Sequence, residues 1–384
     1  MTSVTSLSIT SAFAASAVAG YGSLTPKLSY REVIRLDTTA PLKHMPITHD
    51  TTKMTLASLS VNPDVSKGGN TASIRVGSYP DAILYDAKEN LVYVANYDSN
   101  TVSVIKASDS KVVDTVKVET EPDAVALDSD TGNIYVTNGN SRAKFGTVSV
   151  IKASDNKVVE NIRVGSYPDA ILYDAKENLV YVANYDSNTV SVIKASDSKV
   201  VDTVKVGSFP DALSLNTKTN LVYVVNDSPY ITQGTVSVIK ASDNKVMDTV
   251  KVGQAPNAVI YSPNTDMAYV TNYASNTISI ISGLKNKVIK TIASGVQPKD
   301  LSIDLKTDIM YAANSGSESI SEINAANNNV ISSIKILGIP YALTIDSLSK
   351  SIYVTIPTAN SVYVVKIPDY KSRYRQVYKT IRKK

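Results

Sequence analysis

Short apolar runs separated by polar turn residues recur along most of the chain. Within residues 76–118 four runs follow one another, at 82–85, 91–95, 101–105 and 111–118. The second run is almost wholly apolar, as in a strand covered on both faces, whereas the fourth is mixed, like an outer strand half in water. Aspartate, asparagine and serine, which favour tight turns, lie between the runs. The pattern predicts four short antiparallel strands in this stretch.

The stretch is one unit of an internal repeat. Residues 164–206 copy residues 76–118 without a change, and looser copies fill most of the remaining sequence. Each copy has a proline before its first strand and a tyrosine thirteen residues later. These anchors are Pro80, Pro122, Pro168, Pro210, Pro256, Pro298 and Pro340, followed by Tyr93, Tyr135, Tyr181, Tyr223, Tyr269, Tyr311 and Tyr353. Four-stranded units spaced by 42 or 46 residues predict a β-propeller of seven blades.

The repeat tyrosines begin related tetrapeptides, such as Tyr-Val-Ala-Asn at 93–96, and Tyr-Val-Thr-Asn at 135–138 and 269–272. Together with the Val-Gly-x-x-Pro turns and the Thr-Val-Ser-Val that follows, they make residues 71–367 resemble the YVTN-type β-propeller repeat family. That family occurs in archaeal and bacterial surface-layer-like proteins, usually with seven blades. The resemblance therefore implies the fold and a place at the cell surface, but no ligand or activity.

The ends of the repeat region predict how the ring closes. The last unit starts at Pro340, offers three strands and reaches Val365. Residues 72–76 contain Ser-Ile-Arg-Val, which matches Asn-Ile-Arg-Val in the fourth strand at 161–164. We therefore expect an all-β, seven-bladed propeller of four-stranded antiparallel blades, in which the N-terminal strand completes the last blade and leaves no open sheet edge.

Two terminal segments flank the predicted propeller at 71–367. Residues 1–70 form an N-terminal arm whose first 26 residues carry no charge and are rich in Ser, Thr and Ala. This composition is compatible with a cleaved signal peptide, or with a flexible arm that becomes ordered when it binds a partner in an assembly. Residues 368–384 form a basic, tyrosine-rich tail with seven basic residues against Asp369, so that the rest of the chain carries −2 of the total charge of +4.

The tail is the most strongly charged part of the sequence. Its tyrosines and aliphatic residues fall at helical spacing, opposite the positive charges. This pattern favours contact with an anionic partner, such as lipid headgroups, acidic glycan or packaged nucleic acid; the alternative is a solvated or self-docked tail. The expected contact residues are Lys371, Arg373, Arg375 and Lys379.

Composition limits the chemistry that the blades can perform. The chain has no cysteine, and its two histidines, His44 and His49, precede the first blade. Ser-His-Asp and Cys-His catalysis, and histidine-based metal or haem sites, need residues that the blades lack. No glycine-rich phosphate loop is present, and the near-neutral body does not favour sequence-specific nucleic-acid binding. We therefore expect no cofactor.

One ring of residues does carry candidate chemistry. In a propeller the loops after the fourth and the second strands share one face, so the residue after each anchor proline should line one mouth of the central channel. This ring consists of Asp81, Asp123, Asp169, Asp211, Asn257, Lys299 and Tyr341. The four carboxylates could hold a hard cation such as Ca²⁺, or could only accept hydrogen bonds from backbone amides where the strands begin.

The same predicted face gathers aromatic residues. They precede the anchor prolines, follow the second strands, or lie in the four-residue insertions of blades 2 and 4. They are Tyr79, Tyr97, Phe145, Tyr167, Tyr185, Phe209, Tyr230 and Tyr273. Tyrosine offers contact area, a stacking face and a hydroxyl group, which suits recognition of a protein or glycan; packing between blades is the alternative.

The perfect copy bears on function as well as on fold. Copying whole blades would duplicate or displace the residues of an asymmetric catalytic centre, whereas a broad binding surface tolerates it. We therefore predict a non-catalytic extracellular or envelope protein, namely a surface-layer-like, adhesive or structural component at the cell surface or on a virion. Its partner would be a protein or glycan, and homo-oligomers are compatible with the same features. The alternative is a metal-dependent, lactonase-like sugar enzyme that uses the channel-mouth aspartates.

Overall fold

The structure is a computed structural model that describes residues 71–227 and 232–367. In these residues the chain forms seven antiparallel sheets of four strands each. The N-terminal strand is β1 (Thr71–Arg75), and blades 1 to 3 are β2 (Pro80–Asp86), β3 (Leu91–Asn96), β4 (Thr101–Lys106), β5 (Lys111–Lys117); β6 (Pro122–Leu127), β7 (Asn133–Asn138), β8 (Thr147–Lys152), β9 (Lys157–Arg163); β10 (Pro168–Asp174), β11 (Leu179–Asn184), β12 (Thr189–Lys194), β13 (Lys199–Lys205).

Blades 4 to 7 complete the ring. They are β14 (Pro210–Asn216), β15 (Leu221–Asn226), β16 (Gln233–Lys240), β17 (Lys245–Gln254); β18 (Pro256–Ser262), β19 (Met267–Asn272), β20 (Thr277–Ser282), β21 (Lys287–Ala293); β22 (Pro298–Asp304), β23 (Ile309–Asn314), β24 (Ser319–Asn324), β25 (Asn329–Lys335); β26 (Leu343–Asp346), β27 (Ser351–Ile356), β28 (Ser361–Lys366). A short 3-10 turn, Pro357–Ala359, joins β27 to β28. Within the described ranges no helix is long and apolar enough to cross a bilayer.

The last blade is completed by the first strand. Its strand order is β1-β28-β27-β26, and β1 pairs with β28 from Thr71 opposite Val365 to Arg75 opposite Ser361. The predicted all-β, seven-bladed fold and its closure by the N-terminal strand are confirmed. The closing strand lies one residue earlier than the predicted range of 72–76.

The hydrophobic core is divided among the junctions between blades. Seven apolar clusters occur in the described residues, and each combines side chains from two neighbouring blades. The junction that closes the ring places Ile74 and Val362 of blade 7 against Val92 of blade 1. Because each cluster lies between two sheets, removing one blade would expose two apolar faces.

The seven repeat tyrosines belong to this core. All are fully buried, and each packs into the cluster that its blade shares with the next one. The Tyr269 hydroxyl donates to the carbonyl oxygen of Ala325 in the next blade at 3.0 Å, and the Tyr353 hydroxyl reaches that of Ala107 at 3.3 Å. These two hydroxyl groups therefore link neighbouring blades at the turns between third and fourth strands.

The asparagine that ends the second strand joins that strand to the third. The Asn96 Nδ2 atom donates to the Ser103 hydroxyl at 3.0 Å, and blade 6 keeps the same arrangement with Asn314 and Ser321 at 2.9 Å. The glycine of the Val-Gly-x-x-Pro turn packs on this asparagine, since a Cβ atom at Gly165 would lie 2.6 Å from Cγ of Asn184. Blade 7 has Ile356 instead of asparagine, buried in an apolar cluster.

Candidate binding face at the channel mouth

The turns after the second strands lie against the connections that lead into the inner strands. The Tyr97 amide donates to the Tyr79 carbonyl oxygen at 2.9 Å, and the Tyr185 amide donates to that of Tyr167 at 2.8 Å. These backbone bonds bring the two sets of predicted aromatic residues together on one face.

The residue before the anchor proline has an unusual backbone conformation. Tyr79, Tyr167 and Phe209 have φ angles of 53°, 51° and 55°, in the left-handed region that bulky residues rarely occupy. Neighbouring asparagines stabilise this conformation, because the Tyr79 amide donates to Asn360 Oδ1 at 2.9 Å and the Phe209 amide to Asn188 Oδ1 at 2.7 Å. The left-handed conformation costs roughly 1–2 kcal/mol per residue, which the surrounding structure must offset.

Six of these side chains form a continuous row, which we call the aromatic arc. Its edge-to-face pairs are Tyr341 with Tyr79, Tyr79 with Tyr97, and Tyr167 with Tyr185, each with ring centroids 6.2 Å apart. Tyr185 and Phe209 continue the row at 5.1 Å. The two halves meet where the Tyr97 and Tyr167 hydroxyls lie 2.8 Å apart. The arc therefore runs from blade 7 through blades 1 and 3 to blade 4.

Blade 2 makes the bridge between Tyr97 and Tyr167 possible. It has Gly139 where blades 1 and 3 have Tyr97 and Tyr185, and a Cβ atom there would lie 3.3 Å from the Tyr167 ring. Blade 2 also has Glu121 before its proline, and this carboxylate accepts hydrogen bonds from the Ser141 amide and hydroxyl in the insertion. The missing aromatic pair of blade 2 leaves the space that Tyr167 occupies.

A cation already contacts one end of the arc. The Lys299 ammonium of blade 6 lies 4.8 Å from the centroid of the Tyr341 ring, within the range of a cation–π interaction. The next residue, Asp300, stands where the other six blades have alanine. Its Oδ2 atom accepts a hydrogen bond from the Leu343 amide at 2.8 Å, and burial raises its pKa to about 6.

Some members of the predicted ring at the channel mouth contact one another, and others are buried. Asn257 Nδ2 donates to Asp211 Oδ2 at 2.8 Å, while Asp81 and Asp169 are buried. Burial, and then the charges of Asp123 and Asp169, raise the pKa of the Tyr167 hydroxyl. In the part of the chain that the structure describes, no three His, Cys, Asp or Glu side chains come close enough together to hold a metal ion.

Of the other predicted aromatic residues, the structure describes Phe145 and Tyr273. Phe145 of the blade 2 insertion packs under Arg163, whose guanidinium carbon is 3.3 Å from the ring centroid. Tyr273 is half-buried in the turn after β19, where its amide donates to the Ala255 carbonyl oxygen at 2.8 Å. Tyr230 and the tail residues Lys371, Arg373, Arg375 and Lys379 lie outside the described residues.

Acidic residues accompany the arc, and sequence reasoning recognised only half of them. Blades 1 to 4 each place two carboxylates around the anchor proline or in the turn after the second strand, whereas the corresponding positions of blades 5 to 7 have none. These eight mouth carboxylates are Asp81, Asp98, Glu121, Asp123, Asp169, Asp186, Asp211 and Asp227. Asp98 and Asp186 are exposed. Their repetition in the two identical copies is the sequence signal that could have revealed them.

Lys299 lies in the channel-mouth ring itself, whereas the basic residues at the ends of the outer strands lie further from the axis. The outer strands of most blades end in lysine or arginine, such as Lys117, Lys205 and Lys251. Three strand spacings, about 14 Å, separate an outer strand from its inner strand. That distance exceeds the Debye length of about 8 Å at physiological ionic strength, so these outer cations are largely screened from the carboxylates of blades 1 to 4.

The comparisons with known proteins identify the fold alone. No family model matches the chain, and no relative is found for it among the curated proteins. Among solved structures the chain is similar to Kuenenia stuttgartiensis hydrazine synthase, with a TM-score of 0.69 over 76% of this chain and 96% of that chain. The sequences are 17% identical, so the similarity supports the propeller fold and carries no activity over. The resemblance to YVTN-type repeats stays a prediction.

Proposed function

We propose that this chain is a non-catalytic binding protein that recognises a protein or glycan through the aromatic arc. The observation that carries the proposal is the continuity of the arc, in which six aromatic side chains from four blades are held by each other and by the backbone. Rigid tyrosines lose little conformational entropy on binding and offer both a ring face and a hydroxyl group. A surface that is organised before binding costs less to order.

The proposed setting is the outside of a cell or an envelope, as part of a surface layer, an adhesive structure or a virion. Its support is the resemblance to YVTN-type repeats and the exact copy of residues 76–118 at 164–206, which a binding scaffold tolerates. The arc uses both copies, since Tyr97 and Tyr185 occupy equivalent positions in them. Duplication thus enlarges this surface.

Binding to peptide and glycan arrays tests the proposal. Tyr97→Ala and Tyr185→Ala each remove a central member of the arc and should weaken binding of any selected ligand by about tenfold or more, the usual loss for a buried tyrosine anchor. Tyr173→Ala is the matched control, because Tyr173 is a half-buried tyrosine at the far end of an inner strand. Equal losses in all three variants would contradict the proposal.

The alternative, a metal-dependent sugar enzyme, makes a different prediction. It requires the channel-mouth aspartates to bind a cation such as Ca²⁺ or Zn²⁺, with a general base nearby. Calorimetric titration of the wild type and of Asp81→Asn, Asp169→Asn and Asp211→Asn separates the two. Stoichiometric binding that these substitutions abolish, together with sugar-lactone hydrolysis, would replace the binding proposal with the enzyme.

A further inference from the structure

We infer that the acidic part of the channel mouth, over blades 1 to 4, docks the basic tail at 368–384 of a second copy of this chain. The inference rests on the proposed function, because it names a partner for the aromatic arc. It would join molecules head to tail, with the mouth of one propeller on the tail of the next.

Charge and residue type support this pairing. The tail carries seven basic residues against Asp369, and it contains three tyrosines. The mouth offers eight carboxylates in blades 1 to 4, two of them on the exposed residues Asp98 and Asp186, beside the aromatic arc. Lysine and arginine bind to such a surface through both carboxylates and ring faces. The Lys299 ammonium on the Tyr341 ring shows the same type of contact within the chain.

The direction of the chain favours a second copy over the molecule's own tail. The strand β28 begins at Ser361, opposite Arg75 and on the side of the mouth, and it ends at Lys366. Next, the Ile367 amide donates to the carbonyl oxygen of Lys350, in the turn between β26 and β27 on the other face. The tail therefore starts on the face opposite the mouth.

The length of the tail is suited to reaching a neighbour. Its 17 residues span at most roughly 55–60 Å when extended. To reach its own mouth the tail would have to pass around the full height and radius of the propeller, whereas the mouth of a molecule stacked below lies directly in its path. Such an interface joins two different surfaces, so that it can repeat without closing.

Charge-reversing substitutions in the mouth or in the tail of the full chain test this arrangement. One variant, called tail-reversed, reverses three tail charges (Lys371→Glu, Arg373→Glu, Arg375→Glu) and so lowers the charge of the tail from +6 to 0. The other, called mouth-reversed, reverses the charges of the two exposed mouth residues (Asp98→Lys, Asp186→Lys). Analytical ultracentrifugation at low salt should show concentration-dependent oligomers for the wild type and monomers for each variant. High salt should dissociate the wild-type oligomers, because the contact is electrostatic.

The mixture of the two variants gives the sharpest result. The tail-reversed chain keeps an acidic mouth and the mouth-reversed chain keeps a basic tail, so that mixing them should give 1:1 dimers that grow no further. A matched control, Asp114→Lys with Asp202→Lys, makes the same charge change in blades 1 and 3 at exposed positions in the middle of the outer strands β5 and β13, away from both faces, and should assemble like the wild type.

Three outcomes would overturn the inference: a wild type that is monomeric at all concentrations, a mixture that fails to form dimers, or a mouth-reversed variant that still assembles. The last outcome would assign the tail to another anionic partner. A monomeric wild type whose array ligands are still lost in Tyr97→Ala and Tyr185→Ala would refute the docking and leave the proposed function intact. Loss of neither binding nor assembly in any variant would refute both.

Discussion

At the scale of single residues, the tyrosines of this chain fall into two groups with different roles. The repeat tyrosines, such as Tyr269, are fully buried and connect neighbouring blades. The arc tyrosines, such as Tyr79 and Tyr97, are half-buried and cover the channel mouth. Desolvation disfavours the phenolate in the buried group, and it raises the pKa of Tyr93 and Tyr353 to about 12.

The buried hydroxyls provide a matched pair of substitutions. Tyr269→Phe removes a hydrogen bond to the Ala325 carbonyl oxygen and should lower the free energy of unfolding by about 1 kcal/mol. The Tyr93 hydroxyl is buried and finds no hydrogen-bond partner among the described residues, so Tyr93→Phe should be neutral or stabilising. Urea denaturation of both variants checks this, and equal destabilisation would contradict it.

The raised pKa of Asp300 predicts that the stability of the fold depends on pH. Burial raises its pKa from 3.8 to about 6, so the folded chain keeps a proton that the unfolded chain loses between these values. Its contribution to stability is therefore fully present below pH 3.8 and is lost as the pH rises through 6.

Asp300→Asn keeps an acceptor for the Leu343 amide and removes the charge. The variant should be more stable than the wild type by up to about 3 kcal/mol above the raised pKa, and the difference should vanish in acid. Denaturation of both proteins across this pH range gives the measurement. A difference in stability that does not change with pH would show that Asp300 titrates normally.

At the scale of strands, the outer edges of the blades carry two features that oppose pairing between the sheets of separate molecules. In β5 a bulge opposite Val104 and Ile105 of β4 leaves Val113 without a register partner and 53% exposed, and lysines stand at both ends of β5. The same bulge recurs in the outer strands of blades 2 to 6. Bulges and terminal lysines both oppose pairing between edges.

Removing the lysine charges at an outer edge tests whether they oppose aggregation. Lys111→Thr with Lys117→Thr in β5 should raise the rate of aggregation several-fold on mild heating, while leaving the fold unchanged. The same pair of substitutions can be made independently at Lys199 and Lys205 of β13, which is identical in sequence to β5. Light scattering measures the effect, and unchanged rates in both strands would mean that the bulges alone protect the edges.

Most of the strand pattern could be predicted from the sequence because it depends on local features. Apolar runs, turn residues and regular anchors recur seven times, and the structure confirms the blades and the closing strand. The arc depends on contacts between distant blades. The bond between Tyr97 and Tyr167 requires Gly139 to leave space in blade 2, and Tyr341 meets Tyr79 only because the ring closes. These contacts between distant blades cannot be predicted from the local sequence.

At the scale of the whole molecule, identical segments have different surroundings. Tyr97 and Tyr185 lie in copies that do not differ by a single residue, yet the first reaches Tyr167 and the second packs on Phe209. The difference arises from the next blade, which offers Glu121 in one case and Phe209 in the other. Ring position therefore turns two equal copies into one asymmetric surface.

Covalent footprinting of tyrosines in the natively purified assembly, compared with the isolated chain, tests the central claim most directly. If the arc is the binding surface, modification of Tyr79, Tyr97 and Tyr185 should slow several-fold in the assembly. Tyr85 and Tyr173, which are equally half-buried at the far ends of their inner strands, should keep their rates. Protection of Tyr85 and Tyr173 with an unprotected arc would contradict the account.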